Sequence, residues 1–204
     1  MAEDSVNLGR RRFLTATTAV VGGAGICVAA VPFIKAWNPS AKAKLAGQPV
    51  IADISKLEEG ERLMFEWRGQ PIWIINRTPA ALAALSSVEG KLKDPKSETL
   101  DQQPDYAKNE YRSIKPQILV LVGICTHLGC APLYIPELEP QAFDSEWKGG
   151  FFCPCHKSRF DLAGRVFQGV PAPTNLVVPP HRFVDDGTIE IGVSAEGADT
   201  KGAA

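Results

Sequence analysis

The chain has 204 residues, of which 45% are hydrophobic and 22% are charged, and its formal net charge is -1 at pH 7. This length can bury one sizeable core and leaves room for an N-terminal appendage. The near-neutral charge implies no basic face, so a nucleic-acid partner is not expected. The ordinary hydrophobic content means that any membrane character must be local.

The first 15 residues have the features of an export signal. Arg10-Arg11-Arg12-Phe13-Leu14 fits the R-R-x-F-L core of a twin-arginine signal. A basic flank beside a membrane helix would give a similar composition, and the two interpretations are compatible. We therefore expect residues 1–15 to form a cytoplasmic twin-arginine segment.

Residues 16–37 are predicted to form a transmembrane anchor. No charged residue occurs from Ala16 to Ile34, and a helix of that length spans about 28 Å, roughly one hydrocarbon core. The stretch is only mildly apolar, and Ala41-Lys-Ala43 resembles a cleavage site, so a removable signal core is an alternative. The preceding arginines place the N-terminus in the cytoplasm and the remainder outside.

The rest of the chain divides into a hinge linker, a β-rich head and a tail. Residues 38–49 are small and polar, which is typical of a flexible linker. In the head, residues 50–193, Thr78-Pro79 starts a predicted helix to about residue 88. Strands are predicted at residues 50–54, 62–67, 72–76, 117–124, 149–152, 181–184 and 188–191. Residues 194–204 are predicted to form a flexible tail.

Two short stretches carry most of the potential metal ligands: Cys125-Thr-His127-Leu-Gly-Cys130 and Cys153-Pro-Cys155-His156-Lys-Ser158. Together they hold four of the five cysteines and two of the three histidines. Two thiolates with two imidazoles suit an iron–sulfur centre of mixed coordination or a tetrahedral zinc site. Zinc would leave two further cysteines unexplained, and a c-type haem would need C-x-x-C-H, which is absent from these stretches. Buried structural roles for all six residues are the remaining alternative.

The pattern C-x-H-x-G-C followed by C-P-C-H-x-S is similar to that of Rieske proteins. Over nearly its whole length, the sequence resembles the family of Rieske iron–sulfur subunits of bacterial ubiquinol–cytochrome c reductases. The resemblance implies an all-β fold, a Rieske-type antiparallel β sandwich with an inserted cluster-binding subdomain at about residues 120–175. One N-terminal transmembrane helix and a flexible linker would precede it.

The resemblance also implies a cofactor and its ligands. One Rieske-type [2Fe–2S] cluster per chain would be bound by Cys125, His127, Cys153 and His156. Cys130 and Cys155 would form a disulfide between the two stretches, which indicates an oxidising compartment.

Residues around the cluster are expected to adjust its properties. The Ser158 hydroxyl would donate to a cluster sulfur, whereas a loop serine bonding its own backbone is the alternative. Phe160 occupies a position that is usually Tyr in high-potential members, so we expect a lower potential here. Leu128 would lie at the apolar tip that packs on the quinone-binding partner.

Three further features follow from the sequence. Lys157 occupies a position that is often Gly in this family, so a positive φ there would be strained. Residues 169–173 resemble the proline loop that covers the cluster, and its prolines would stiffen it. His181, the remaining histidine, is expected to be structural.

The implied function is that of a one-electron carrier, active only within its complex. Ubiquinol would be oxidised with proton transfer at a cluster histidine, His156 in preference to His127. Above the pKa of the oxidised state, the midpoint potential would fall by about 59 mV per pH unit for one proton per electron. The expected partners are cytochrome b and a c-type cytochrome in a dimeric complex. The chain would be a single-pass protein of the cell inner membrane, with its head in the periplasm.

Alternatives from other classes remain open on sequence alone. The small subunit of an arsenite-oxidase-type enzyme also combines an export signal with a Rieske centre. A soluble oxygenase ferredoxin would need neither the disulfide nor the anchor. A zinc-bound structural or interaction domain is the alternative outside redox chemistry.

Overall fold

The computed structural model describes residues 7–40, 43, 45 and 47–195. By internal contacts the chain divides into two compact units, Met1–Leu45 and Ala46–Ala204. Part of the predicted linker, at positions 41, 42, 44 and 46, lies outside the described residues, as does the predicted tail from residue 196 onward.

The first unit contains one long helix, α1 (Leu8–Ala36). It begins eight residues before the predicted span, because the Asn7 side chain caps it by accepting from the Arg10 N–H and because arginine favours helix. The three arginines therefore lie within the first turns of α1. By length and composition, α1 is able to cross a membrane.

The second unit is built from nine strands within the part of the chain that the structure describes. They form three antiparallel sheets with the orders β1-β9-β8, β2-β3-β4 and β5-β6-β7. Their bounds are β1 Val50–Asp53, β2 Arg62–Trp67, β3 Gln70–Asn76, β4 Ile118–Val122, β5 Leu133–Ile135, β6 Gly150–Phe152, β7 Arg159–Phe160, β8 His181–Asp185 and β9 Thr188–Ile191. The predicted antiparallel all-β fold is confirmed. The third sheet lies between β4 and β8 in the chain, as expected of an inserted subdomain.

The middle sheet is buried on both faces. On β3, Trp73 and Ile75 belong to the core shared with the β5-β6-β7 sheet. Ile72 and Ile74 point the other way, into the core shared with the β1-β9-β8 sheet. A strand alternates its side chains between its two faces, and here both sets are apolar, which accounts for the continuous apolar sequence of β3 and β4.

The β2–β3 hairpin is tighter than predicted. Its turn consists of Arg68 and Gly69 alone, both with positive φ (53° and 72°), and Trp67 pairs directly with Gln70. Two-residue turns of left-handed conformation match the twist of the flanking strands. The strand β3 therefore starts two residues earlier than the sequence pattern indicated.

The predicted helix after Thr78 is present but short. Thr78 accepts from the Ala81 N–H and caps α2 (Pro79–Ala84), which continues as a 3-10 helix over Leu85–Lys91. The hydroxyls of Ser86 and Ser87 donate to carbonyls three residues back, and such bonds compete with the α-helical pattern.

Candidate metal centre

Two loops at the ends of β4 and β6 carry the predicted ligands, and they share one backbone geometry. The Cys125 N–H donates to the Cys130 carbonyl at 2.8 Å, and the Cys153 N–H donates to the Ser158 carbonyl at 2.8 Å. The Gly129 N–H likewise donates to the Cys125 carbonyl at 3.1 Å, and the Lys157 N–H to the Cys153 carbonyl at 2.9 Å. The loops are therefore equivalent, with Cys125 matching Cys153 and Gly129 matching Lys157.

This equivalence explains the backbone of Lys157. Its φ is 61°, and the φ of Gly129 at the matching position is 80°. Glycine adopts this left-handed conformation freely, whereas another residue there costs roughly 1–2 kcal/mol. The strain expected at Lys157 is present.

A disulfide between Cys130 and Cys155 joins the two loops, with their Cα atoms 6.7 Å apart. The remaining cysteines of the loops, Cys125 and Cys153, are free thiols, each 2% exposed. The loops thus contain one covalent link and two buried thiols.

The two buried thiols are close enough to interact. Burial, the largest effect, raises the pKa of Cys125, and the Cys153 side chain raises it further. The His127 N–H and the Ser158 hydroxyl act in the opposite direction, because both stabilise the thiolate. A metal ion would displace the proton and give this buried sulfur a counter-charge.

The two histidine rings are in edge-to-face contact, with centroids 4.8 Å apart and planes at 90°. His127 is half-buried, and its Nδ1 is buried without a hydrogen-bond partner among the described residues. His156 is exposed. A buried polar atom without a partner costs free energy, and ligation of a metal by Nδ1 would remove that cost. The residues therefore fit a metal group.

Distance alone selects a different set of ligands. The sulfurs of Cys130, Cys153 and Cys155 all lie within 4.8 Å of one another. Two of these sulfurs belong to the disulfide and are not thiolates, which are the form that binds metal. Donor chemistry therefore favours the two free thiols and the two imidazoles as the candidate ligands.

The proline loop, taken from here on as residues 169–174, is hydrogen-bonded to both ligand loops. The Ala172 N–H donates to Ser158 Oγ at 3.0 Å, and the Thr126 hydroxyl donates to the Thr174 carbonyl at 2.7 Å. Because Ser158 Oγ accepts from Ala172, its own proton is free to be donated to sulfur. The role of Thr126 was not predicted, since a threonine between two ligands gives no pattern of its own.

Two more predicted residues differ in their exposure. Phe160 is fully buried in β7 and pairs with Phe151 of β6. Leu128 is 71% exposed at the tip of the first loop. An exposed leucine of this kind is available to a partner surface.

A cluster of three buried arginines, Arg77, Arg112 and Arg165, surrounds the turn after β7 and was not predicted. Arg165 forms a buried ion pair with Asp161, at 2.7 Å. Arg77 donates to the Leu162 carbonyl. Arg112 donates to the carbonyls of Ala163 and Gly164. Burial lowers the pKa of both Arg77 and Arg112 to about 10. These contacts hold the turn after β7; the only sequence signal was the position of Arg77 directly after an apolar strand.

Comparison with known protein families gives two matches. The family described as "Rieske [2Fe-2S] domain" matches residues 48–180. The family described as "Ubiquitinol-cytochrome C reductase Fe-S subunit TAT signal" matches residues 1–40. The twin-arginine interpretation of the N-terminus is thereby supported by an independent match.

Similar proteins cover nearly the whole chain. The ubiquinol–cytochrome c reductase iron–sulfur subunit of Allochromatium vinosum is 60% identical over 192 residues, which is 94% of this chain and 92% of the relative. That of Blastochloris viridis is 43% identical over 94% of this chain and 97% of its own length. A solved structure described as a hyperthermophilic respiratory complex III aligns over 87% of this chain and 98% of its own, with 24% identity and a TM-score of 0.44.

The three antiparallel sheets and the paired cysteine–histidine loops define an iron–sulfur protein of the Rieske type, whose cofactor is a [2Fe–2S] cluster. Zinc and the arsenite-oxidase-type alternative are not favoured by these matches. The chain belongs to the family of ubiquinol–cytochrome c reductase iron–sulfur subunits.

Proposed function

We propose that Cys125, His127, Cys153 and His156 hold the [2Fe–2S] group, through which the chain carries single electrons from ubiquinol to a c-type cytochrome. The group supplies one-electron chemistry, at a potential raised because two neutral imidazoles replace two thiolates. The observation that carries this proposal is the combination of two buried free thiols with two adjacent imidazoles, one of which has an unpartnered buried Nδ1.

The different burial of the two histidines supports different roles. His156 is exposed, so its outer ring nitrogen is accessible to a quinol hydroxyl, whereas His127 is half-buried. His156 would accept the hydrogen bond of the quinol and then its proton, with His127 as the second participating imidazole. Leu128 would pack on the apolar wall of the quinol site beside it.

The surrounding residues would keep water away from the thiols. The disulfide fixes the two loops to each other, and the proline loop is bonded to both of them. Prolines at 171 and 173 limit the backbone freedom of that loop, so docking requires little additional ordering.

We further propose a place for the chain in its complex. Cytochrome b would provide the quinol site, a c-type cytochrome would accept the electron, and the complex would be a dimer. With α1 retained in the cell inner membrane and the head in the periplasm, residues 38–49 would act as the tether between them.

Loss of a ligand tests the assignment of the centre. In Cys153→Ser, we expect the electron paramagnetic resonance signal of the reduced protein and its iron content to be lost. Cys27→Ser is the matched control, since Cys27 lies in α1, and it should keep both. Iron retained in Cys153→Ser, or zinc in place of iron in the unsubstituted chain, would contradict the proposal.

Export can be tested with two variants of the predicted twin-arginine segment, residues 1–15. Replacing Arg10 and Arg11 by Lys should keep the head in the cytoplasm, because these two residues form the R-R pair of the R-R-x-F-L pattern. Arg12→Lys alters the x position and should leave export unchanged. The export of each variant is measured as the accessibility of its head to protease in spheroplasts. Equal export of the two variants would refute the twin-arginine route.

A further inference from the structure

The face formed by the two ligand loops and the proline loop is nearly free of charge. Residues 116–136, 149–156 and 166–180 contain no Asp, Glu, Lys or Arg. Between the last two stretches, Arg159 pairs with Asp144, and Asp161 pairs with Arg165 in the interior. Lys157 is exposed, and its ammonium has no ion pair or hydrogen bond with any residue that the structure describes. Lys93 lies against the proline loop, where its ammonium donates to the carbonyls of Val170 and Ala172. Lys157 is therefore the one charged residue of the two ligand loops, and it differs from Lys93 in having no partner among the described residues.

The second unit as a whole is acidic. Residues 46–204 contain 16 Lys and Arg residues against 21 Asp and Glu residues. A cation on an uncharged face of an acidic domain is a distinct electrostatic feature, and an approaching molecule would meet it first on that face.

Lys157 also occupies a strained backbone position beside an exposed ligand. The matching position in the other loop is Gly129, which adopts the same conformation without strain. Lys157 directly follows the exposed His156 in the chain, and the first loop carries the exposed Leu128. Backbone strain beside a ligand is a basis for a functional hypothesis about the side chain that is kept there.

We propose that Lys157 is a docking determinant that pairs with a carboxylate on the electron-accepting c-type cytochrome. The inference rests on the proposed function. Of the two reaction partners, ubiquinol is uncharged and offers no counter-ion. A c-type cytochrome has carboxylates, on its haem and on its acidic side chains. On cytochrome b, the loops would instead pack their apolar Leu128 against the quinol site, so we place the counter-charge on the c-type cytochrome.

Lys157 would act on docking and not on the redox step itself. One electron would pass from the centre to one ferric haem, and Lys157 would be neither oxidised nor reduced in that transfer. Its attraction to the carboxylate raises the fraction of heads that are docked on the cytochrome. Such a charge at the rim of an interface mainly changes association and its dependence on salt.

The test uses the intact membrane complex with its centre reduced beforehand. The c-type haem is photo-oxidised, and its re-reduction is followed at increasing KCl. In the unsubstituted complex, we expect the rate to fall as salt rises. In Lys157→Met the rate at low salt should be about two- to five-fold lower and nearly independent of salt, in line with the modest strength of exposed ion pairs. In Lys157→Glu it should be lower still and should rise with salt.

Controls separate this effect from loss of the centre. Lys148→Met removes an exposed lysine outside the two loops and should behave as the unsubstituted complex. Lys157→Gly removes the charge and the backbone strain together, so it should match Lys157→Met even if the glutamate variant fails to assemble. An unchanged electron paramagnetic resonance signal in each variant verifies that the centre is intact.

The proposal and the underlying function fail in different ways. The same salt dependence in all Lys157 variants, or an effect confined to quinol-driven reduction of the centre, would overturn the role of Lys157 on the cytochrome. A complex in which the reduced centre never reduces the haem, at any salt concentration and with Lys157 in place, would instead overturn the proposed function.

Discussion

At the scale of single residues, the two ligand loops place different residues at their matching left-handed position. Gly129 and Lys157 have nearly the same φ, 80° and 61°, but only the glycine adopts it without steric cost. The loops are otherwise closed by corresponding hydrogen bonds. The side chain at 157 therefore lowers the stability of its own loop.

Lys157→Gly should raise the free energy of unfolding by about 1 kcal/mol, because it removes the left-handed strain. Denaturant unfolding of the detergent-solubilised protein measures the change. Lys157→Ala is the matched control: it removes the charge and keeps the strain, so its stability should equal that of the unsubstituted chain. A similar gain in both variants would attribute the effect to charge and not to backbone conformation.

Phe160 is the second residue at which this chain departs from the high-potential pattern. Phe160→Tyr would add a hydroxyl able to donate to a ligand or cluster sulfur, which favours the reduced state. A bond worth about 1–1.5 kcal/mol more in the reduced state corresponds to a rise of roughly 45–65 mV in midpoint potential. Redox titration measures it.

Phe152→Tyr provides the comparison for this substitution. Phe152 precedes Cys153, but its side chain lies on the other face of β6 from Phe151, the strand partner of Phe160. The same hydroxyl placed there should leave the potential nearly unchanged. Equal shifts in the two variants would rule out a specific hydrogen bond from position 160.

At the scale of secondary-structure elements, the middle sheet supports the cluster-binding sheet through one aromatic contact. Trp73 of β3 stacks on Phe151 of β6, with ring centroids 5.5 Å apart. The indole also covers Gly123, which lies between β4 and the first ligand loop. A Cβ at position 123 would be only 2.3 Å from the Trp73 ring. The absence of a side chain at 123 thus allows the two sheets to pack.

Gly123→Ala should therefore destabilise the head by about 1–3 kcal/mol, the usual cost of overpacking. Gly90→Ala is the control, because a Cβ there would meet no atom within 4 Å. Unfolding midpoints of the two variants provide the comparison. Equal stability would mean that the Trp73 ring can move away without cost, and that the stack does not fix the sheets.

At the scale of the whole molecule, resistance of the head to acid is linked to His181. This residue is fully buried at the start of β8, and burial lowers its pKa to about 4. Its Nδ1 lies 2.8 Å from the Pro179 carbonyl, while Nε2 is buried and has no hydrogen-bond partner in the described part of the chain. The neutral ring donates from Nδ1, and protonation at Nε2 would create an unpaired buried charge.

Because the folded-state pKa lies below the unfolded value of about 6.5, the unfolded chain binds the proton more tightly. Stability is then full above pH 6.5 and falls as the pH approaches 4, by at most about 3 kcal/mol for this residue. Denaturant unfolding at a series of pH values measures the loss.

His181→Asn keeps a donor near the Pro179 carbonyl and removes the titrating ring. The variant should be less stable at pH 7, yet its stability should change less between pH 6.5 and 4. Identical pH profiles for the variant and the unsubstituted chain would show that other groups, and not His181, account for acid unfolding.

Much of the fold was predictable because the relevant patterns are local. The apolar run of α1, the alternating or continuous apolar strands and the turn residues each span only a few neighbouring positions. The errors were of two kinds: ends of elements, such as the early start of β3 at the Arg68–Gly69 turn, and the short strands β5 and β7, which were not predicted as partners of β6. Layering depends on which apolar faces meet, and a single strand pattern does not specify its partner.

For the site, the sequence by itself determined which donor groups are available, because the predicted ligands and their spacing lie within two hexapeptides. Only the tertiary structure decided that His156 is exposed and His127 half-buried, that Thr126 and Ser158 anchor the proline loop, and that Lys157 is left unpaired. It also decided the arginine cluster, where Arg77 meets the Leu162 carbonyl across 85 positions of chain. Exposure and pairing depend on contacts between distant segments, and those exist only once the chain has folded.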